Sequence, residues 1–454
     1  MGGPMAEHAG MSLPKQMESW DSIKAAYRFL SNPRIMPEQI GSGHRALTYS
    51  HCLKHPVVLC VQDDTEIHGA RRVGKEDDGE DDAGVSQVVG KRLGEGQEIL
   101  HSTLAVTPDG ELLGLLDQRW FKRVKRKKGE TKLERLNRWR ETDVWSDAVF
   151  GVDSLTARSG GRGGTSGATC RLIHVADRAS DNLRFMVACL SVNHGFVIRA
   201  MHDRRVEDGT SKLWEHMASQ ASSGTIEVKV GTQRNSLGKI TRQERCAVVT
   251  VRFARVQLES PLNHPEAFEP LTVNVVYLRE EHPPEGVEGI DWMLLTSEVV
   301  ESLADARLIV GYYQKRWTVE EWHRALKEGC RLEDSQVHEV CTLRRLSAVL
   351  SVIAVRLLQV RNLAQGRCKD APQALQATVD LVWIHVVSLL AGVESDQLTP
   401  ELFWKTVSKK GGFIGRKSDG RPGWKVIWRG WHDISQMVRL AELQQQKTHT
   451  KRCG

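Results

Sequence analysis

The sequence predicts an α/β chain, a mixed sheet with flanking helices that is interrupted by a β-rich block and bounded by helical regions at both ends. Three observations predict it. Residues 56–61 (PVVLCV) are a continuous apolar, β-branched run, the mark of a strand covered on both faces. From 224 to 296 the chain alternates through TIEVKVG, CAVVTVRFARVQL, LTVNVVYL and DWMLLTS, the pattern of successive strands. Helical patterning opens at Trp20 and returns after Lys327, running to about residue 365 and again over 372–392.

Composition allows this and excludes other classes. The 454 residues give room for two or three domains, and 40% hydrophobic with 26% charged residues is ordinary for a globular protein. The nine cysteines form no CxxC and stand at no zinc-site spacing from histidine, which points to reduced thiols in a cytosolic protein. No signal peptide opens the chain. The longest apolar stretch, Leu346 to Val355, is too short to span a bilayer and reads as a buried helix. The net charge of +6 hides local extremes: EDDGEDD over 76–82 holds six acids, and KRVKRKK over 122–128 holds six bases. The basic run is either a solvated loop or a salt-sensitive contact to phosphates.

In chain order, residues 1–19 carry Gly2, Gly3, Pro4 and Gly10 and read as poorly structured. Trp20 to Ile40 predicts a helix and a proline-punctuated turn, with Ala25, Ala26, Phe29 and Leu30 as an apolar stripe. The strand over 56–61 ends in Gln62-Asp63-Asp64-Thr65, and the Gly-rich, charged segment 66–100 reads as a surface insertion. HSTLAV and ELLGLL flank Pro108-Asp109-Gly110, a hairpin signal. A helix is predicted over 130–150. The glycine-rich segment 158–169 lacks the strand–GxxxxGK[ST]–helix grammar of a phosphate loop, so no nucleotide cofactor is expected. The strand Arg171 to Ala176 delivers Asp177-Arg178-Ala179-Ser180-Asp181, and Phe196 to Arg199 is a further strand. Aspartates at strand ends also commonly cap turns. Trp424, Trp428 and Trp431, at i, i+4 and i+7, form a packed helix face.

The chemically unusual stretch is YYQKRWTVEEWHRALK. If it is one helix, Tyr313, Arg316, Glu320 and Lys327 project within an arc of roughly 60°, flanked by Trp317, His323 and Arg324, with Val319, Trp322, Ala325 and Leu326 opposite. Glu320 with Arg324 also fits an ordinary i,i+4 pair.

Tyr-x2-Arg-x3-Glu-x6-Lys, met at Tyr313, Arg316, Glu320 and Lys327, resembles the signature of DDE transposases of the insertion-sequence-4 family, the group with the Tn-five-like cut-and-paste enzymes. The resemblance covers roughly residues 5–435. It implies a ribonuclease-H-like core and a catalytic, metal-binding triad of Asp63, Asp177 and Glu320. Asp63 matches the family's Asp-Thr position, although Asp64 stands where the family has Thr; Asp177 matches Asp-Arg-x-x-Asp. DNA contacts are implied for Tyr313, Arg316, Lys327 and Arg199, with Trp317, His323 and Arg324 on the same helix. Trp292 matches a tryptophan that stacks near a DNA hairpin; by itself it also reads as a half-buried strand aromatic. KAAYRFLSNPRI resembles the family's amino-terminal end-binding segment, entered part-way.

The chemistry accounts for these residue types. Cutting a phosphodiester requires an ionised nucleophile and a stabilised leaving oxygen, which two Mg²⁺ ions about 3.5–4 Å apart supply. Such hard ions, with Mn²⁺ as substitute, take carboxylate oxygens and keep waters. The implied organisation is a partial DNA-binding region over 1–50, catalytic core over 51–204 and 299–365, a β-rich insertion over 205–298, and a helical region over 366–454 as a candidate for dimerisation. The implied activity is cleavage of transposon ends and strand transfer into target DNA. The implied partners are terminal inverted repeats, target DNA and a second copy of the chain, in a bacterial, nucleoid-associated setting without a membrane. Two other expectations are a metal-dependent nuclease of the same fold, and a shortened, non-catalytic inhibitor or decayed remnant.

Overall fold

Nine strands hydrogen-bond in the order β3-β2-β1-β4-β5-β11-β10-β9-β6, a mixed sheet in an α/β chain. They are β1 Val57–Ile67, β2 Glu98–Val106, β3 Leu112–Lys122, β4 Arg171–Ala176, β5 Gly195–Arg199, β6 Gly224–Val230, β9 Arg245–Leu258, β10 Leu271–Arg279 and β11 Asp291–Thr296. β7 Gln233–Arg234 and β8 Ile240–Arg242 pair separately. The computed structural model describes residues 12–17, 19–68, 98–123, 129–131, 138–159, 170–206, 211–231, 233–234, 240–259, 269–335, 339–364, 379–416 and 422–450, with single positions 5, 134, 337 and 375. The acidic run 76–82, most of the basic run 122–128 and most of the 158–169 segment lie outside the described residues.

The chain divides into two compact units, and β1 contributes to both. One comprises residues 52–63 and 124–317. Its sheet begins with parallel pairs, β1 on β4 and β4 on β5, and continues through the antiparallel β11, β10, β9 and β6. Val58, Leu59, Cys60 and Val61 are wholly buried, as a strand covered on both faces requires. β6 shows the opposite regime: it alternates exposed and buried along its length, so it turns one face to solvent.

The other unit comprises residues 1–51, 64–123 and 318–454. It holds the β2–β3 hairpin, closed where predicted by Gly110 at φ 100°, a conformation that favours glycine. It also holds helices Trp20–Ser31, Ser42–Cys52, Val340–Ala364, Leu381–Ala391, Pro400–Lys410 and Trp424–Thr450. Leu346, Leu350, Ile353, Ala354 and Val355 are buried, so that apolar stretch is a core helix. The last two helices meet backbone to backbone. A Cβ on Gly430 would stand 1.8 Å from the Val407 carbonyl, and one on Gly411 1.8 Å from the Val426 carbonyl. Trp428 and Trp431 are buried, and Trp431 stacks on Trp383 with centroids 4.0 Å apart.

Several sequence expectations are corrected. The first strand runs past Val61 to Ile67. The helix placed at 130–150 is Asp143–Ser159, and among the described residues of 130–142 only Glu134 is helical. Of the 372–392 segment, the described helix is Leu381–Ala391. Ala26 and Leu30 are buried, but Ala25 is exposed. The stretch 313–327 is not one helix. Leu303–Gln314 ends with Lys315 N and Arg316 N bonding back three residues, to Tyr312 and Tyr313 carbonyls at 3.0 Å each. A second helix, Trp317–Arg324, then widens into a π turn over Ala325–Gly329, where Cys330 N reaches the Ala325 carbonyl at 2.8 Å. No proline or glycine marks the first break. No helix among the described residues is long and apolar enough to cross a membrane, and the seven described cysteines are free thiols.

Candidate active site

Two carboxylates are brought side by side by strand register. β1 and β4 run parallel, paired from Val57 opposite Arg171 to Val61 opposite Val175. Asp63 and Asp177 each lie two residues beyond that last pair. They therefore share a face at the carboxyl ends of adjacent strands, whose spacing is about 4.8 Å. Asp177 also does what a strand-end aspartate commonly does: its Oδ1 accepts from Ala179 N at 2.9 Å and caps the 3₁₀ turn 178–180.

Around this pair the same unit gathers cations and aromatics. Arg316 Nη1 stands 3.5 Å from Asp63 Oδ2, with side chains 11% and 18% exposed. The guanidinium of Arg316 also lies over the Trp317 ring, 4.9 Å from its centroid. Tyr313 is buried, hydrogen-bonds Arg199, and meets Trp292 edge-on with centroids 5.2 Å apart. Burial raises the Tyr313 phenol above its ordinary pKa, with the Asp177 charge adding to it and Arg316 and Arg199 opposing, so the phenol is a neutral hydrogen-bonding group. Arg199 Nη2 donates to the Asp291 carbonyl at 2.8 Å, which fixes the guanidinium beside Tyr313. Asp63, Asp177, Tyr313, Arg316, Arg199, Trp292 and Trp317 thus belong to one neighbourhood.

Glu320, His323, Arg324 and Lys327 belong to the other unit. Glu320 is half-buried and Arg324 exposed. Lys327 donates to the Glu66 carbonyl and lies 3.5 Å from Glu333. His323 is buried beside Trp322, and its Nε2 has no hydrogen-bond partner. Burial first, then the Lys327 charge and His101, push its pKa down to about 3. A neutral, buried imidazole carries no charge to a phosphate.

Sequence reasoning missed three polar arrangements. Asp64 pairs with the fully buried His101, Oδ1 to Nδ1 at 2.5 Å. Gln62 bonds His174, which bonds His194 at 3.0 Å, a buried string within the sheet. Asp181 and Arg204 form a buried ion pair at 2.5 Å. A histidine inside the apolar strand RLIHVA was the one available signal for the second of these.

The donor set of Asp63 and Asp177 is all oxygen and suits a hard divalent cation. Among the described residues no group of three or more His, Cys, Asp or Glu stands arranged to hold a metal ion.

Residues 4–35 match the family model described as transposase DNA-binding. The match supports a transposase, with DNA as partner. Within it, helix Trp20–Ser31 presents Lys24 and Arg28 to solvent and is tied down at its far end. Arg345, buried, donates to the Leu30 carbonyl at 3.0 Å and the Ile35 carbonyl at 2.6 Å, satisfying acceptors that a helix end leaves open and placing a cation at the negative end of its dipole.

Proposed function

We propose that the chain is a DDE transposase of the insertion-sequence-4 kind. It cuts transposon ends and joins them to target DNA by phosphoryl transfer, acting as a homodimer on DNA. The observation that carries this reading is the register that sets Asp63 beside Asp177 amid Arg316, Arg199, Tyr313 and Trp292. The order β3-β2-β1-β4-β5, a hairpin followed by parallel pairs, supports a ribonuclease-H-like core, with β11, β10, β9 and β6 as its β-rich addition. The transposase DNA-binding match over 4–35 supports the substrate.

Asp63 and Asp177 would hold Mg²⁺ or Mn²⁺; Glu320, the third carboxylate that the resemblance implies, belongs to the other unit. Bound there, the metal would ionise the attacking water or 3′-hydroxyl and stabilise the leaving oxygen. The chain's own residues do the rest. Arg316, 3.5 Å away, orients the Asp63 carboxylate. Arg316 and Arg199 present planar donors for phosphate oxygens, and the neutral Tyr313 phenol adds a hydrogen bond. Lys327 supplies a point charge further along the strand. Trp292 offers a face on which an extruded base stacks.

The test is purified protein, Mg²⁺ and a duplex carrying the inverted repeat that borders the coding frame, with plasmid as target. Joined products support the proposal. Nicks without joining point to a nuclease, and binding without any cutting to a non-catalytic DNA-binding protein.

A further inference from the structure

The buried residues of β1 and β4 are apolar but for Gln62 and His174, and both of these are wholly withdrawn from water. The Gln62 amide nitrogen donates to His174 Nδ1. An imidazole that accepts at Nδ1 carries its proton on Nε2, so His174 Nε2 donates in turn to His194 Nδ1 at 3.0 Å. His194, 5% exposed, stands immediately before β5, and its backbone N–H is held by the Cys189 carbonyl at 2.8 Å. The string thus crosses from β1 over β4 to the start of β5, inside one unit of the chain. Phe185, itself fully buried, meets the His174 ring edge-on with centroids 6.2 Å apart.

The string does what the apolar residues around it cannot. Val58, Leu59, Cys60 and Val61 lie opposite Leu172, Ile173, His174 and Val175, in strands buried on both sides. With both faces apolar, sliding one strand along the other exchanges one aliphatic contact for another, and hydrophobic patterning does not choose the register. A polar pair does choose. Cys60 is opposite His174, and Gln62, two residues on and on the same face, reaches back diagonally to the ring. A slip parts the amide from the ring and leaves polar groups without partners in the core, which is heavily penalised. The same register sets Asp63, the residue after Gln62, beside Asp177. A slip of two residues would keep every face but carry one aspartate about 6.6 Å from its place beside the other, at about 3.3 Å per residue.

We infer that Gln62, His174 and His194 are positioning residues, a buried register lock that sets the spacing of Asp63 and Asp177 and thereby the affinity of that pair for a divalent cation. The inference rests on the transposase reading, in which those two carboxylates hold the metal. The three side chains act through strand β1 rather than by touching metal or DNA. Buried polar groups that fix register in this way cost stability as often as they add to it.

The experiment uses the full chain and Mn²⁺. Calorimetry follows the part of Mn²⁺ binding that the Asp63→Asn, Asp177→Asn double variant lacks, with thermal melts alongside. The triple variant Gln62→Met, His174→Leu, His194→Leu replaces the string by apolar side chains of similar size. It should melt within a few degrees of wild type or above it, yet bind Mn²⁺ about tenfold more weakly. His174→Asn and His174→Gln divide the string, whether or not the triple variant folds. Asparagine sets an amide where Nδ1 was and keeps the Gln62 bond; glutamine reaches the Nε2 position and keeps the His194 bond instead. The two should melt alike, but His174→Asn should hold Mn²⁺ within about threefold of wild type and His174→Gln about tenfold more weakly. A folded triple variant with wild-type Mn²⁺ affinity overturns the lock, as does equal Mn²⁺ affinity in the asparagine and glutamine variants. Wild-type protein that binds no more Mn²⁺ than the double variant overturns the metal-holding reading of Asp63 and Asp177, and the lock with it.

Discussion

Asp64 Oδ1 lies 2.5 Å from Nδ1 of the buried His101, while the preceding Asp63 has Arg316 3.5 Å from its own carboxylate. Strand alternation sends consecutive side chains to opposite faces, so one acid is committed to a structural hydrogen bond and the other to the Asp177 side of β1. On the proposed reading, Asp63 is therefore the acid offered to a ligand. Asp63→Asn should abolish DNA cleavage while leaving DNA affinity within a few-fold. Asp64→Asn keeps an acceptor for His101 and should retain activity, with a melting temperature within a few degrees of wild type. Inactive Asp64→Asn beside active Asp63→Asn would show the register to be misjudged.

Asp177→Asn keeps the cap on Ala179 N, since an amide oxygen accepts as a carboxylate does. It should fold normally and lose cleavage. Calorimetry with Mn²⁺ separates the effects: wild type should bind, and the Asp63→Asn, Asp177→Asn double variant should not. Metal at about one hundred times its dissociation constant should stabilise wild type by about 2.7 kcal/mol and leave the double variant unmoved.

Arg316→Lys retains charge but loses the fork that can span two phosphate oxygens, and should weaken binding to the terminal repeat. Lys327→Ala should weaken binding across DNA sequences alike and reduce the slope of log K against log salt by about one. A salt slope unchanged by Lys327→Ala would place that lysine off the DNA path, confined to its contacts with Glu66 and Glu333.

Three histidines, His194 and His323 buried and His44 half-buried, should make the fold acid-sensitive. Burial pushes His323 down to about 3, and His44 and His194 to about 4. Each is neutral in the fold and protonates more readily once unfolded. Stability is therefore complete above the unfolded value of 6.5 and falls as pH drops toward 4. At pH 5 each group should withdraw up to about 2 kcal/mol. Thermal melts should show this slope. His323→Phe, which replaces an unpartnered nitrogen with an apolar ring, should make it shallower; an identical slope would show that His323 does not titrate this way.

The contact of helices Pro400–Lys410 and Trp424–Thr450 leaves no room for a side chain at Gly430. Gly430→Ala must push the helices apart and should destabilise the protein by about 1–3 kcal/mol in denaturant titration, despite alanine's higher helix propensity. A gain in stability would show the approach to be looser than it is drawn.

How much of this was legible beforehand varies from residue to residue. The apolar run at 56–61, the hairpin at Pro108-Asp109-Gly110 and the alternating block from 224 read directly as strands, because period-two patterning and turn chemistry are local properties. The residue types at Asp63, Asp177, Tyr313 and Arg316 were legible too. Their gathering was not, since the register of β1 on β4 is a long-range pairing that no window of sequence contains. The supposed single helix through 313–327 is in fact two, and its residues Tyr313 and Arg316 meet Trp292, Arg199 and Asp63, all distant in the chain.

By itself, then, the sequence determined the strands, most of the helices and the chemical vocabulary of the site, because backbone propensity and side-chain periodicity act over a few residues. Only the tertiary structure decided that Asp63 rather than Asp64 shares a face with Asp177, and that His323 is neutral. Each of those depends on which faces strand pairing and burial bring together, and that is fixed when the whole chain packs.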